Sequence, residues 1–245
     1  MDREVEAGGP TGVVDVGDAV GVLLLTRAQE RLDRVTHARF TTFREGARGG
    51  WDAAARRRLV DTLADGAPAV VDGSPVRERL AERRWLAWFP RPFGPHHAVN
   101  VAGEAVGWTA ARCPGIRVVR THLAARSWQA EVLQAAGPFA ATGWGGRRLR
   151  GWVARGDRLE DDQVQWACVV EVTRDERELV RAWAWGRGPV AAGSAVATTA
   201  AATLDAPWEA GMPAPTLAAG DARRLLDALA GAGVLRWSVT GPDPR

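Results

Sequence analysis

VQWACVVEVTRDERELVRAWAW, residues Val164 to Trp185, is the stretch on which the fold turns. Val164, Trp166, Cys168, Val170 and Val172 recur at period two, which places them on one face of an extended strand. The all-charged run Arg174 to Arg177 suits a solvated turn, after which Leu179 to Trp185 resume in an extended, aromatic-rich register. A β-hairpin over about residues 163–185 follows, with the rest of the chain packed on it. Trp166 and Cys168 read as core on its buried face.

Working outward, Gly143-Trp144-Gly145-Gly146 reads as a glycine turn before an extended piece, Arg148 to Ala154, that leads through Glu160-Asp161-Asp162 into the hairpin. Downstream, the small-residue tract Ala191 to Ala202 mixes helix-favouring alanine with threonine and Gly193, and is read as helix from Ser194. Pro207, Pro213 and Pro215 mark a loop. Ala222, Leu225, Leu226 and Leu229 then form the apolar stripe of an amphipathic helix that stops at Gly231 and Gly233. Val234 to Val239 reads as a last strand.

The N-terminal half reads as more helical. Residues 1–12 are expected to be a disordered leader. Asp18 to Leu25 reads as a short strand, and Thr26 as the cap of a helix running toward Glu45, with His37 on its solvated side. Asp52 opens a second helix ending at Gly66, on which Leu59 and Leu63 face inward and Arg56, Arg57 and Arg58 read as a solvated face. Ala67 to Val71 reads as a strand and Asp72-Gly73 as a turn. Ser74-Pro75 has the cap and first-turn proline of a third helix. Pro90, Pro92 and Pro95 stiffen a loop, Ala98 to Val101 and Ala105 to Thr109 read as a hairpin, and Ile116 to Leu123 as a strand. Ser127 reads as the cap of a short helix carrying Trp128 and Val132.

With helices early and strands in the middle, the pattern predicts an α+β fold with a largely antiparallel central sheet and helices packed on one side. Residues 13–240 read as one domain, with a sub-boundary near 90–95 as the alternative.

All 32 cationic residues are arginine, tyrosine is absent, and isoleucine occurs once, at Ile116. This is the bias of a GC-rich bacterial genome, so arginine in place of lysine is weak evidence for phosphate recognition. The pI of about 9.9 overstates a net charge of +3, because between about pH 7 and 12 the chain has almost nothing to titrate. A basic partner surface must therefore be local. Cys113 and Cys168 give neither a disulfide framework nor a metal spacing, which favours free thiols in a reducing cytosol. The N-terminus lacks a signal-peptide pattern and no window has the length of a membrane span, so a cytoplasmic protein is expected.

Motifs that would settle the chemistry are absent. A phosphate loop needs a lysine the chain does not have, and Arg148 stands where the third glycine of a dinucleotide fingerprint would be. No nucleophile elbow, His-Glu-x-x-His or paired-cysteine zinc site occurs, and neither a metal nor a cofactor is expected. The catalytic candidates are His122, His96 and His97. The last two are adjacent in a strand and so point to opposite faces. His122 shares a strand face with Arg120, either as half of an anion-binding pair or as a core histidine beside an arginine paired to a carboxylate.

Twelve tryptophans are the strongest oddity, several of them beside arginine. Arg83-Arg84-Trp85 is one such place. The other is Trp144 to Trp152, with Arg147, Arg148 and Arg150 between the indoles. Arginine for negative charge and an indole for a flat apolar face are the parts of a site for an anionic ring or a nucleic acid strand; tryptophans covered by arginine stems are the alternative. The sequence thus favours a cytosolic binding or accessory module that recognises an anionic partner, nucleic acid or a phosphate or carboxylate metabolite, through Arg147, Arg148, Arg150, Trp144, Trp152 and Arg120. Two alternatives stand beside it: a small cofactor-independent enzyme with a histidine in a tryptophan-lined pocket, and a protein-interaction subunit.

Overall fold

The computed structural model describes residues 16–45, 53–125, 129, 131–135, 142–154, 165–175, 177–188 and 219–241. Its elements run α1 (Val16–Gln29), β1 (His37–Glu45), α2 (Ala53–Asp65), β2 (Ala67–Val71), β3 (Ser74–Glu78), β4 (Arg84–Trp88), β5 (Pro95–Asn100), α3 (Ala105–Arg112), β6 (Val118–Ala125), α4 (Gly143–Ala154), β7 (Gln165–Arg174), β8 (Glu178–Arg187), α5 (Ala219–Gly231) and β9 (Leu235–Thr240). The nine strands form one mixed sheet in the order β3-β2-β6-β1-β7-β8-β9, with β5 on β6 and β4 on β5. Among the described residues only β1 and β6 pair in parallel; the other pairs are antiparallel.

The hairpin is where the sequence places it. β7 and β8 pair from Gln165↔Arg187 to Arg174↔Glu178, and the charged turn uses Asp175 at a positive φ of 50°. Trp166, Cys168, Val170 and Val172 are buried against α1, α5 and the opposing strands. Trp166 is 1 % exposed, and β8 can pass it because Gly186 has no side chain; a Cβ there would lie 2.9 Å from the indole and would also strike the Val234 carbonyl. α5 and β9 also match the expectation, as do α2 and β2.

Several N-terminal expectations are overturned. Asp18 to Leu25 is helix, not strand: α1 is apolar round most of its circumference because it is sandwiched between β7 and β8 on one side and α3 and α5 on others, and such a helix carries no one-sided period. It lies close to the sheet at Gly21, whose missing Cβ would meet the Phe40 ring at 3.1 Å. The helix expected from Thr26 toward Glu45 is the end of α1 followed by β1. The Thr26 hydroxyl donates to the Val22 carbonyl within α1 and caps nothing. β1 is buried on both faces, so its sequence lacks the simple alternation of a half-exposed strand.

Ser74-Pro75 opens strand β3 at the sheet edge, where a proline without an N–H is tolerated. Ala105 to Thr109 belongs to helix α3, and the piece from Arg148 to Ala154 lies within helix α4. Thr142 explains the latter, since its Oγ1 accepts the Gly145 N–H at 3.0 Å and nucleates a helix across glycines that read as a turn. Arg58 is not on a solvated face: it is buried, 2.6 Å from Asp18 Oδ2, and donates to Thr42 Oγ1. Residues 131–135 are helical near the short helix expected from Ser127. Residues 1–12, 160–162 and 191–202, and the side chains of Arg56 and Arg57, lie outside what the structure describes.

The two sheet faces differ. One, with Phe40, Val119, Val170 and Ala182, packs on α1, α3 and α5 as the main core. On the other face the β4–β5 hairpin folds back over the sheet. In a flat sheet the four strand steps from β4 to β7 would span about 19 Å, yet Trp85 Nε1 on β4 donates to Glu171 Oε2 on β7 at 3.2 Å. A second core fills the fold: Phe43, Ala87, Phe89, Ala98, Ala124, Ala167 and Val169.

Replacing Trp166 by alanine should lower stability by about 3 to 5 kcal/mol, the cost of a large cavity in a packed core. Urea unfolding measures it, and an unchanged midpoint would mean that this face of β7 is not the core.

Candidate functional site

The register of β6, β1, β7 and β8 sets Arg120, Arg39, Glu171 and Arg181 side by side on the concave face. Glu171 is 6 % exposed and holds three partners. Arg181 donates to its Oε1 through Nε at 3.0 Å and Nη2 at 2.7 Å, Trp85 donates to Oε2, and Arg39 Nη1 lies 3.7 Å from Oε2. The Arg39 guanidinium stacks on the Trp85 ring with 3.5 Å to the centroid. Burial pulls the Arg39 guanidinium below its ordinary range, with Glu171 opposing the shift. A buried carboxylate is thereby paired with one hydrogen-bonded arginine and a second close by, which is the condition for keeping charge inside a fold.

Arg120 is committed elsewhere. Its Nε lies 2.9 and 3.2 Å from the two oxygens of Glu78, and its Nη2 2.9 Å from Oε1. The pair with His122 is therefore the structural alternative, an arginine tied to a carboxylate beside a core histidine. His122 is 2 % exposed, between Thr41 of β1 and Asn100 of β5. Burial first, then the positive charges of Arg39 and Arg120, push it down to about 3, against a hydrogen bond with the Phe40 backbone. It is neutral at physiological pH. Its Nδ1 has no partner among the described residues.

His96 and His97 do point to opposite faces of β5. His96 stacks on Phe43 at 4.4 Å, and its Nε2 lies 3.1 Å from the Phe93 carbonyl. It belongs to the second core. His97 is half-buried on the other side.

Trp144, Arg147 and Arg148 stand on the first two turns of α4, all exposed. Trp144 is 56 % exposed, and the Arg148 guanidinium lies over its ring, 4.8 Å from the centroid. Helical spacing makes this contact, since residues four apart share a face. Among the described residues no carboxylate pairs with Arg147 or Arg148. Arg150 and Trp152 follow on the same helix, and their side chains lie outside the described residues. The arginines and indoles thus share a helix, where the sequence suggested a glycine loop, and Arg120 is not among them.

The sequence singled out Arg83-Arg84-Trp85 but not Glu171, Arg39 or Arg181, which are far apart in the chain. Their signal was the hairpin register: Glu171 and Arg181 are cross-strand neighbours. Cys168 is buried near the Gly17 carbonyl, and Cys113, buried too, accepts from Gln29 Nε2 at 2.9 Å. Burial pushes the Cys113 thiol up, so it is a poor nucleophile. No cluster of three or more metal-ligating side chains occurs among the described residues.

No protein-family model matches the chain and no curated protein matches it. Among solved structures it is similar to apo histidine-tagged saccharopine dehydrogenase (L-Glu forming) from Saccharomyces cerevisiae. The TM-score is 0.53 at 10 % identity, over 91 % of this chain and 72 % of that one. At that identity the likeness is one of fold alone.

His122 gives a pH prediction. Its pKa is about 3 when folded against 6.5 for an ordinary histidine, so the unfolded chain takes up a proton that the folded chain refuses. Its contribution to stability is fully present above about pH 6.5 and falls as the pH drops toward 3, by at most about 1.4 kcal/mol per pH unit. Urea midpoints at pH 7 and pH 5 should differ less for His122→Gln than for the parent. An equal difference would contradict the buried, neutral histidine.

Proposed function

We propose that the chain is a binding or accessory module that engages an anionic partner through an exposed arginine and tryptophan surface on α4. The observation that carries this is the Arg148 guanidinium stacked on the half-exposed Trp144 ring, with Arg147 alongside. An exposed guanidinium held over an indole can donate to phosphate or carboxylate, and the indole offers a flat face for a ring. Trp144, Arg147 and Arg148 are all exposed, and an exposed arginine and indole pair suits an extended polyanion such as a single-stranded nucleic acid. Two of the three candidate histidines give little support to the enzyme alternative, because His122 is buried and His96 packs in a core; His97, half-buried, is the one that would serve it. Among the described residues no helix is long and apolar enough to cross a membrane. A cytoplasmic place of work belongs to the same proposal.

The test is fluorescence anisotropy of a labelled single-stranded oligonucleotide across a salt series. Arg147→Ala/Arg148→Ala should weaken binding and flatten its salt dependence by about two charge contacts, with thermal unfolding changed by less than about 0.5 kcal/mol as for surface sites. Binding equal to the parent's would refute the surface.

A further inference from the structure

β4 is an edge strand with an apolar ledge. It pairs only with β5 among the described residues, and Trp85, Leu86 and Trp88 on it are 36 %, 43 % and 54 % exposed. The direction of its backbone groups follows from two hydrogen bonds. Phe89 N–H donates to the Gly94 carbonyl, and Asn100 N–H donates to the Arg83 carbonyl. Backbone groups alternate along a strand, so the odd-numbered residues 83 to 89 face β5 and those of Arg84, Leu86 and Trp88 face outward. An unpaired, apolar edge of this kind is a template for another strand.

Charge identifies what would pair there. Arg79, Arg83, Arg84 and Arg91 are exposed around β4. Among the described residues Glu78 is taken by Arg120, with Arg83 at 3.9 Å; Glu82 accepts the Arg79 N–H and keeps its charge, which the four arginines outnumber, and Arg84 donates to the neutral Gln134. The edge is therefore apolar at its centre and positive at its margins. A second copy pairing on β4 would bring two such sets of arginines together, whereas an acidic strand would neutralise one.

We propose that β4 binds an extended acidic segment of a partner protein by strand addition, apolar side chains over Leu86 and Trp88 and carboxylates toward Arg83 and Arg84. The surface is separate from α4 and stands whether or not that helix binds an anion.

The probe is a labelled peptide of about eight residues, a usual strand length, alternating valine and glutamate, added to the full chain. The amides of Arg84, Leu86 and Trp88 should become protected from hydrogen exchange when it binds. Leu86→Pro removes an outward N–H without touching the ladder to β5, so it should weaken the peptide at least about tenfold, or 1.4 kcal/mol, with unfolding little changed. Arg83→Ala/Arg84→Ala should also weaken it, and Arg147→Ala/Arg148→Ala should not. If Leu86→Pro fails to fold, the amide protection and the arginine variant decide. Equal binding of the same peptide with lysine for glutamate, binding without protection of those amides, or a parent dimer that Leu86→Pro dissociates would overturn the proposal.

Discussion

Glu171 is the group on which the concave half of the molecule depends. It is a carboxylate buried on an interior strand of the sheet, and burying a charge without partners is costly. It is instead surrounded from three strands: Arg181 from β8, Arg39 from β1 and Trp85 from β4. The first two come from its immediate neighbours in the sheet. Trp85 has to be brought across β5, β6 and β1, so satisfying this carboxylate is coupled to folding the β4–β5 hairpin over the face. The apolar contacts of Phe43, Phe89 and Val169 stabilise the same closure. A buried ion pair adds little net stability compared with an apolar replacement, but it is intolerant of the wrong partner. Here it specifies where the hairpin sits.

That closure divides the molecule's surfaces. The convex side of the sheet is covered by α1, α3 and α5 and is occupied by core. Closing the hairpin uses the inner side of β4 and leaves its outer edge, with Leu86 and Trp88, facing solvent. Arginine is used in two ways. Arg58, Arg120 and Arg181 are tied to Asp18, Glu78 and Glu171 and hold elements together. Arg147 and Arg148 on α4, and Arg83 and Arg84 beside the edge, present charge outward. A net charge of +3 is compatible with anion binding where such exposed charge is local.

Legibility in the sequence followed how each element is buried. β7, β8 and α5 each have one solvated side or a charged turn, and their periods read correctly. α1 and β1 are buried nearly all round, so neither shows an apolar face opposite a solvated one from which helix and strand could be told apart; here the two were exchanged. Gly143 to Gly146 read as a turn because glycine disfavours helix, and the Thr142 cap outweighed it. For the site, the pairing of arginine with tryptophan was visible at Trp144, with Arg148 four residues on; at Trp85 the sequence showed the indole but not Arg39, the arginine that stacks on it. The fate of Arg120 and His122 was visible only as two alternatives, because no local pattern shows which carboxylate a distant arginine meets.

The central claim is that Glu171 holds the hairpin closed through Trp85. Indole N–H hydrogen exchange, followed by nitrogen-resolved NMR in Glu171→Gln, tests it directly. The neutral amide keeps the size of the carboxylate but loses its charge-assisted bonds. The account predicts faster exchange at the Trp85 indole while the buried Trp166 indole keeps its parent rate. Unchanged exchange at Trp85, or equal acceleration at both indoles, would contradict it.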